Sequence, residues 1–317
     1  MTNASAMTAL KTLSATNKAL QTTQGRISTG YRVAEAADNA AYWSIATTMR
    51  SDNKALSTVQ DALGLGAAKV DTAYTGVNSA IEVVDELKSR LTAARESGVD
   101  RTKIQAEIRQ LQAQLINNAG NTSFSGENWL SVDSSSAGFS ATKTIVSSFT
   151  RSSSGAVTIG TISIDISSIK LFDAATDAAT SGTGILDARY DAATGTLLAD
   201  QSTGGFTVAT LDISALTNST ADIATLDAYI RGVDHALGRL TTAASDLGAA
   251  KKRVSLQQDF VKAMMDAIDR GVGQLVDADM NKESTKLQAL QVQQQLGIQA
   301  LSIANSSAQN VLALFKG

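Results

Sequence analysis

Two long stretches of apolar residues recur at alternating three- and four-residue intervals, and this spacing most constrains the fold. The first runs from Leu56 to Ala94 and the second from Ile223 to Leu275. Heptads sustained over this length predict two long helices that pack as an antiparallel coiled coil. The chain contains no proline, so no residue forces these helices to break. The predicted core seam is represented by Leu63, Val70, Val84, Leu237, Leu247 and Val261.

A shorter helix follows the first long one. Gly98 has the character of a helix stop, and Asp100 that of the N-cap of the next helix. Apolar residues then recur on one face of this helix, at Ile104, Ile108, Leu111 and Leu115. Because the connection is short, we expect the two helices to be antiparallel neighbours.

Both ends of the chain predict helices of unusual surface character. Leu287–Phe315 contains no charged residue, and residues 1–30 contain few. A helix in water normally keeps a charged outer face, so an uncharged polar face favours packing against copies of the chain on several sides. The alternative is an ordinary helix docked into the core of a globular domain. The predicted polymerisation residues are Leu10, Leu13, Leu20, Ile27, Leu287, Leu290, Leu301, Val311 and Phe315.

The middle third has a different composition. Residues 131–205 are rich in Ser, Thr, Gly and Asp, and two segments alternate as strands do, Ala156–Ile166 and Phe206–Ile213. This pattern predicts a small β-containing domain or a pair of β elements. The alternative is a partly disordered polar spacer.

The kinds of segment follow a nearly symmetric order along the chain, with helical segments at both ends and the β-like segment in the middle. This order predicts a mainly α fold. We expect a long antiparallel coiled-coil hairpin with paired terminal helices and a small β-containing variable domain inserted in the middle. The predicted regions are 1–39 with 277–317 for the terminal helices and linkers, 40–140 with 215–276 for the heptad core, and 141–214 for the variable domain.

Composition argues against several functional classes. The chain has no cysteine and a formal net charge of -3, so neither thiolate metal sites nor a nucleic-acid footprint is expected. No run is long and apolar enough to span a bilayer, and no Sec signal peptide is recognisable. The single histidine, His235, lacks identifiable catalytic partners. The acidic run at Asp277–Glu283 fails as a calcium loop, because Lys282 stands where glycine is required. We therefore expect no catalytic, cofactor or metal site.

Two segments carry a family resemblance. Gly25–Leu56 (GRISTGYRVAEAADNAAYWSIATTMRSDNKAL) and Leu275–Phe315 (LVDADMNKESTKLQALQVQQQLGIQALSIANSSAQNVLALF) resemble bacterial flagellin, the filament subunit. The amino-acid sequence of Ala40–Ala46 is most like that of flagellins from rhizobial-type alphaproteobacteria. With the two heptad helices, the resemblance covers about two thirds of the chain.

The resemblance implies a self-assembling structural protein for motility and not an enzyme. The terminal helices would form the inner tube of a helical filament, the heptad helices the next layer, and the middle third the outside. It also implies secretion through the flagellar channel without a cleaved signal, and a natural start a few residues upstream. The implied partners are further copies, sister flagellins, an export chaperone, and cap and hook-junction proteins, with no nucleic acid or membrane.

The same resemblance includes a segment that innate immune receptors recognise in flagellins. Gly25–Ala46 is similar to the flagellin segment that plant receptors read, and its informative residues here are Arg26, Asp38, Asn39, Tyr42 and Trp43. Asn39 stands where strongly eliciting flagellins carry an acidic residue, and Tyr42 and Trp43 replace smaller residues. We therefore predict weak or no receptor activation.

Two other interpretations remain open at this stage. A hook–filament junction protein shares terminal helices of this style. A signalling coiled coil, such as a chemoreceptor hairpin, is also rich in Ala, Gln and Ser and free of cysteine. The β-like segment and the missing membrane span argue against the second interpretation.

Overall fold

A computed structural model describes residues 4–175, 182–201 and 204–314, with side chains described as far as residue 306. The helices are α1 (Ala4–Thr29), α2 (Ala40–Ala94), α3 (Arg101–Asn121), α4 (Thr220–Val276) and α5 (Met280–Leu314). The strands are β1 (Ser123–Phe124), β2 (Glu127–Asn128), β3 (Ser131–Val132), β4 (Thr142–Arg151), β5 (Val157–Asp165), β6 (Phe172–Asp173), β7 (Arg189–Tyr190) and β8 (Phe206–Thr207). The predicted mainly α fold with a small strand-containing middle region is confirmed.

Contacts divide the chain into two compact units. Unit 1 comprises Met1–Ala55 and Ala263–Gly317, and unit 2 comprises Leu56–Lys262. Helices α2 and α4 each contribute to both units. The division differs from the three regions expected, since residues 141–214 pack against the helices of unit 2 and form no unit of their own.

In unit 1, α1 and α5 form an antiparallel pair with a heptad seam. Gln294 Nε2 donates a hydrogen bond to Asn17 Oδ1 at 2.7 Å, and Gly297 lies against Leu13. On α1 the seam includes two buried threonines, Thr16 and Thr23. The hydroxyl of Thr16 donates to the carbonyl of Thr12 one turn earlier at 3.0 Å, which lets a polar residue occupy the seam.

A short irregular connection joins α1 to α2 and packs beside the start of α5. Gly30 has a φ of 76°, a left-handed conformation that favours glycine, and its carbonyl accepts the N–H of Ala278 at 2.9 Å. The N–H groups of Arg32 and Val33 both donate to the carbonyl of Val276. Below this connection lies a small apolar cluster that consists of Val33, Ala46, Val272 and Val276 with Met49, Ile268 and Leu275 at its rim.

In unit 2, α2 and α4 form the predicted coiled-coil pair. Two ion pairs beside the seam show that the helices run antiparallel, because the later residue of α2 pairs with the earlier residue of α4. Lys88 Nζ lies 2.5 Å from Asp234 Oδ1, and Lys251 Nζ lies 2.9 Å from Asp71 Oδ1. The seam buries Leu63, Val70, Val84, Leu247 and Val261 almost completely.

One predicted seam position lies elsewhere. Leu237 is only half-buried, and its neighbour Ala236 is fully buried in its place. Ala243, seven residues or about two turns after Ala236, is also buried in the seam. The small side chains of Ala236 and Ala243 let the helices approach closely.

Helix α3 begins as predicted and uses polar side chains in its buried face. Asp100 caps it by accepting the N–H groups of Thr102 and Lys103. Gln105 donates to the carbonyl of Leu211 at 3.2 Å and accepts the N–H of Ile213 at 2.9 Å. These bonds hold residues 208–213 in an irregular path. The strand predicted over Phe206–Ile213 is therefore reduced to β8, because side chains of α3 take the backbone groups that a longer strand would need.

The longest sheet is the β4–β5 hairpin, which corresponds to the strand predicted over Ala156–Ile166. Its antiparallel register pairs Ile145 with Ile162, and a bulge lies between Val146 and Ser148. The carbonyl of Ser147, within the bulge, accepts a hydrogen bond from Gln257 of α4 at 2.9 Å. The bulge therefore ties the hairpin to the coiled coil.

A buried ion pair stabilises the loops after this hairpin. Lys170 Nζ lies 2.5 Å from Asp173 Oδ2, and their side chains are 7% and 0% exposed. Asp173 Oδ2 also accepts the hydroxyl hydrogens of Ser134 and Thr183. Burial raises the pKa of the Asp173 carboxyl, but the hydrogen bonds from Lys170 and its other donors outweigh burial and hold that pKa well below its usual range.

Candidate functional site

Large apolar side chains are exposed on the outer faces of the α1–α5 pair, opposite the seam. On α1 they are Met7 and Leu10, which are 61% and 57% exposed. On α5 they include Val292, Leu296 and Ile303, which are 54%, 58% and 65% exposed, while the exposed Met280 and Ile298 lie on a different side of that helix. Spacings of four and seven residues place Val292, Leu296 and Ile303 on one face of the helix. We call Met7, Leu10, Val292, Leu296 and Ile303 the outer apolar face.

Charge is absent from the α5 part of the outer apolar face, whereas Lys11 and Lys18 are exposed on the α1 part. From Leu287 to Leu314, α5 carries no ionisable side chain, and its outward polar residues are glutamine, serine and asparagine. Solvated helices usually avoid contiguous apolar surface and keep charges outside, so exposed apolar patches mark surfaces that bind a partner. The chemistry of the α5 part of this face suits burial against another uncharged helical surface.

The residues predicted for polymerisation fall into two groups in the structure. Leu290 is buried within the α1–α5 seam, and the seam also contains the half-buried Leu13, Leu20, Ile27, Leu287 and Leu301. Leu10, by contrast, is 57% exposed, and its half-buried neighbour Ala9 lies towards the seam instead. The side chain of Val311 and all of Phe315 lie outside the described residues.

Sequence reasoning missed the outward residues of α5. The seam stripe alone assigns Val292, Leu296 and Ile303 to the polar side of α5. A usable signal was present, since these residues form a second stripe of their own in the same helix. A helix with two apolar stripes has two surfaces to cover.

An ion pair closes the base of the α1–α5 pair. Arg26 Nη1 lies 3.1 Å from Glu283 Oε1, and the Glu283 side chain is 11% exposed. Asp279 caps α5 by accepting the N–H groups of Asn281 and Lys282, so the acidic run Asp277–Glu283 serves helix capping and pairing.

The segment resembling a receptor-read epitope has structural roles of its own. Asp38 Oδ2 accepts the N–H groups of Ala34 and Glu35, which shapes the turn before α2. Asn39 Oδ1 accepts the N–H of Tyr42 at 3.1 Å and so caps α2. Tyr42 and Trp43 follow in the first turn and are 40% and 38% exposed.

Other chemistry is sparse in the described part of the chain. His235 is exposed on α4. Among the residues that the structure describes, no three side chains of the metal-binding kinds come together. None of the described helices combines the length and apolarity that crossing a membrane requires.

Comparison with known proteins agrees with this architecture. Residues 1–135 match the bacterial flagellin N-terminal helical region, and residues 230–315 match the bacterial flagellin C-terminal helical region. Flagellin C of Rhizobium meliloti (strain 1021) is 51% identical over 322 aligned residues, which cover 100% of this chain and 98% of that protein. Flagellin A of the same strain is 45% identical over 397 aligned residues, with coverage of 100% and 99%. The flagellin of Brucella melitensis biotype 1 is 45% identical over 318 aligned residues, again with coverage of 100% and 99%.

These matches cover both helical ends and extend over the full length of the relatives. They give no support to a hook–filament junction protein or to a signalling coiled coil. The chain therefore belongs to the bacterial flagellin family and is a structural subunit of the flagellar filament, a polymer that its relatives form outside the cell.

Proposed function

We propose that the subunits polymerise through the α1–α5 pair, with the outer apolar face as the contact surface. The observation that carries this proposal is the exposure of five large apolar side chains on two helices that have few charges to keep them in solution. Burying such a side chain contributes about 1.5–3 kcal/mol, so several per contact are enough to drive association against its entropic cost.

The seam residues have a different part in the same process. Leu13, Leu20, Ile27, Leu287, Leu290 and Leu301 hold the two helices together, and the outer face exists only while the helices are paired. Val311 and Phe315 extend the predicted stripe and belong to the same proposal. Isolated amphipathic helices are marginal in water, so the pair gains order when further copies cover it.

Site-directed changes on α5 test the proposal. Leu296→Ser with Ile303→Ser removes apolar area from the contact surface without touching the seam, and we expect filament mass after sedimentation to fall to near zero. Leu256→Ser is the matched control, because Leu256 is 55% exposed on α4 in unit 2. Normal filaments from the α5 double variant would refute the proposed surface, as would an equal loss in the control.

A truncation separates assembly from folding. Removing Leu287–Gly317 takes away most of α5, and we expect polymerisation to stop while unit 2 stays folded, since unit 2 ends at Lys262. Circular dichroism reports the remaining helix and electron microscopy the filaments. Filaments formed by the truncated chain would contradict the proposal.

The finer cellular context is part of the same proposal. The subunit is secreted through the flagellar channel without a cleaved signal, and it meets an export chaperone, cap and hook-junction proteins and sister flagellins. Mass spectrometry of filaments checks the first point, because an N-terminal peptide that begins downstream of Leu10 would indicate cleavage.

We also propose weak or absent recognition by innate receptors. Asn39 is used as a helix cap and carries no charge, while Arg26 is engaged by Glu283. A peptide spanning Gly25–Ala46 should give little response in plant cells. A response equal to that of a strongly eliciting flagellin peptide would contradict this.

A further inference from the structure

Two of the methionines that the structure describes have exposed side chains. Met7 of α1 is 61% exposed, and Met280 of α5 is 46% exposed. Met49, Met264 and Met265 are half-buried. Oxidation of sulfur side chains follows their exposure, and the chain has no cysteine to compete for the oxidant. In a free subunit, Met7 and Met280 are therefore the described sulfur side chains that an oxidant reaches first.

The two exposed methionines differ in their surroundings. Met7 belongs to the outer apolar face, where it lies about one turn before Leu10 on α1. Met280 is the first residue of α5 and directly follows the capping residue Asp279. It lies on a different side of α5 from the outer apolar face. Of the two, only Met7 is therefore part of the proposed contact surface.

Oxidation changes the chemical character of a methionine side chain. A lone pair of the thioether sulfur attacks one oxygen of hydrogen peroxide, so that a sulfur–oxygen bond forms and the oxygen–oxygen bond breaks. The proton of the attacked oxygen passes to the departing hydroxide, which leaves as water. The sulfur has then lost two electrons to the peroxide and has become a sulfoxide, which is polar and chiral. An apolar side chain is thereby replaced by a strongly hydrated hydrogen-bond acceptor.

We propose that Met7 is an oxidation site at which peroxide prevents a free subunit from joining the polymer. This inference rests on the proposed polymerisation through the α1–α5 pair. A sulfoxide at Met7 must give up its hydration when the contact forms, and removing a polar group from water in this way is costly. Once a subunit is assembled, its Met7 is covered, so the same oxidant reaches the sulfur more slowly. Oxidation of Met280 leaves the outer apolar face unchanged and does not prevent assembly.

The partition of partly oxidised protein tests the proposal in the native chain. Free subunits are treated with hydrogen peroxide until part of Met7 is converted, catalase removes the excess, and the protein is then polymerised. Peptide mass spectrometry compares the filaments with the unassembled protein. We expect Met7 sulfoxide to be depleted from filaments about fivefold or more, and Met280 sulfoxide to be equally abundant in both fractions. Equal abundance of Met7 sulfoxide in the two fractions would overturn the proposal, as would depletion of Met280 sulfoxide to the same degree.

Leucine variants separate the two methionines. Leucine has nearly the volume of methionine and carries no sulfur, so Met7→Leu and Met280→Leu keep the apolar surface. After full oxidation we expect the critical concentration for polymerisation to rise on the order of tenfold in the native chain and in Met280→Leu, but to stay within about twofold in Met7→Leu. An equal rise in Met7→Leu would contradict the proposal. Methionine sulfoxide reductases of both stereospecificities should restore assembly of the oxidised native chain, and a failure to do so would also count against Met7.

The rate of oxidation in filaments completes the test. We expect Met7 to be oxidised about fivefold or more slowly in filaments than in free subunits, because assembly covers its sulfur. Equal rates would show that Met7 stays open to solvent in the polymer and would overturn the inference. The proposed function is judged separately by Leu296→Ser with Ile303→Ser, and it fails first if that variant polymerises normally. Loss of assembly in that variant together with equal partition of Met7 sulfoxide overturns the oxidation proposal alone.

Discussion

Arg26 and Glu283 form an ion pair across the α1–α5 helix pair, with 3.1 Å between Nη1 and Oε1, although 257 residues separate them in sequence. The second carboxylate oxygen, Glu283 Oε2, is buried and has no hydrogen-bond partner. Arg26 therefore offsets the negative charge of a carboxylate that is buried and only partly hydrogen-bonded.

Arg26→Ala should loosen the helix pair. The change leaves the Glu283 carboxylate buried without its cation, a loss of about 1–3 kcal/mol. We expect faster amide hydrogen exchange in α1 and in the first turns of α5, measured on monomers. Lys11→Ala is the control, since Lys11 lies exposed on the same helix. Equal protection in the two variants would show that the ion pair contributes nothing.

Two glycines of α2 should respond in opposite ways to the same substitution. A Cβ added at Gly66 would lie 2.4 Å from Ile145 Cγ2, so Gly66→Ala should destabilise unit 2 by about 1–3 kcal/mol through overpacking. At Gly64 no atom lies within 4 Å of such a Cβ, and Gly64→Ala should stabilise by up to about 1 kcal/mol because alanine favours the helix. Urea unfolding of the monomer measures both. Adding Ile145→Ala to Gly66→Ala should relieve the clash, and no relief would rule out this explanation.

Removal of the Gln105 side chain should weaken the irregular segment that follows β8. Gln105→Ala leaves the N–H of Ile213 without its bond and deprives the carbonyl of Leu211 of one donor. The expected cost is about 1–3 kcal/mol in the free energy of unfolding. Gln114→Ala, at an exposed position of the same helix, should change that energy by less than about 0.5 kcal/mol. A similar loss of stability in both variants would mean that it does not come from the hydrogen bonds of Gln105.

Glu127 should make the stability of unit 2 depend on acid pH. Burial raises the pKa of its carboxyl, but hydrogen bonds from Lys143 and Lys69 outweigh burial and lower that pKa from 4.5 to about 2. Because the folded pKa is depressed, the stabilisation is present above pH 4.5 and is lost as the pH falls towards 2. Glu127→Gln should therefore unfold more easily than the native chain near neutral pH, and the difference should disappear near pH 2. A difference that stays constant over this range would contradict the assignment.

Much of the helical architecture was predictable, because the heptad spacing of apolar residues identifies the buried face of each long helix. Leu63, Val84 and Val261 lie where that spacing predicts. At Leu237 the spacing points one residue too far, because the seam uses the smaller Ala236 to bring the helices close. Periodicity alone cannot distinguish two adjacent apolar positions, and close packing decides between them.

Polar residues with long-range partners escaped prediction for another reason. Gln105 and Gln112 sit in the buried face of α3, where a sequence pattern shows only a gap in the apolar stripe. Their roles depend on carbonyl and N–H groups of residues 208–213, about a hundred positions later in the chain. The outer apolar face is the reverse case, because its α5 residues form a second apolar stripe that can be read from the sequence beside the seam.

The pairing of α1 with α5 has a consequence for the order of events in a newly delivered subunit. Neither helix has its partner until both ends of the chain are present, whereas the Leu56–Lys262 unit can close earlier. Loop closure costs only about 0.6 kcal/mol more for each doubling of length, and prior folding of the central unit removes most of the intervening freedom. A chain that has lost either end can thus fold in its centre and still offer no paired surface. Under the proposed polymerisation through the α1–α5 pair, a growing polymer would therefore take up only chains that retain both ends.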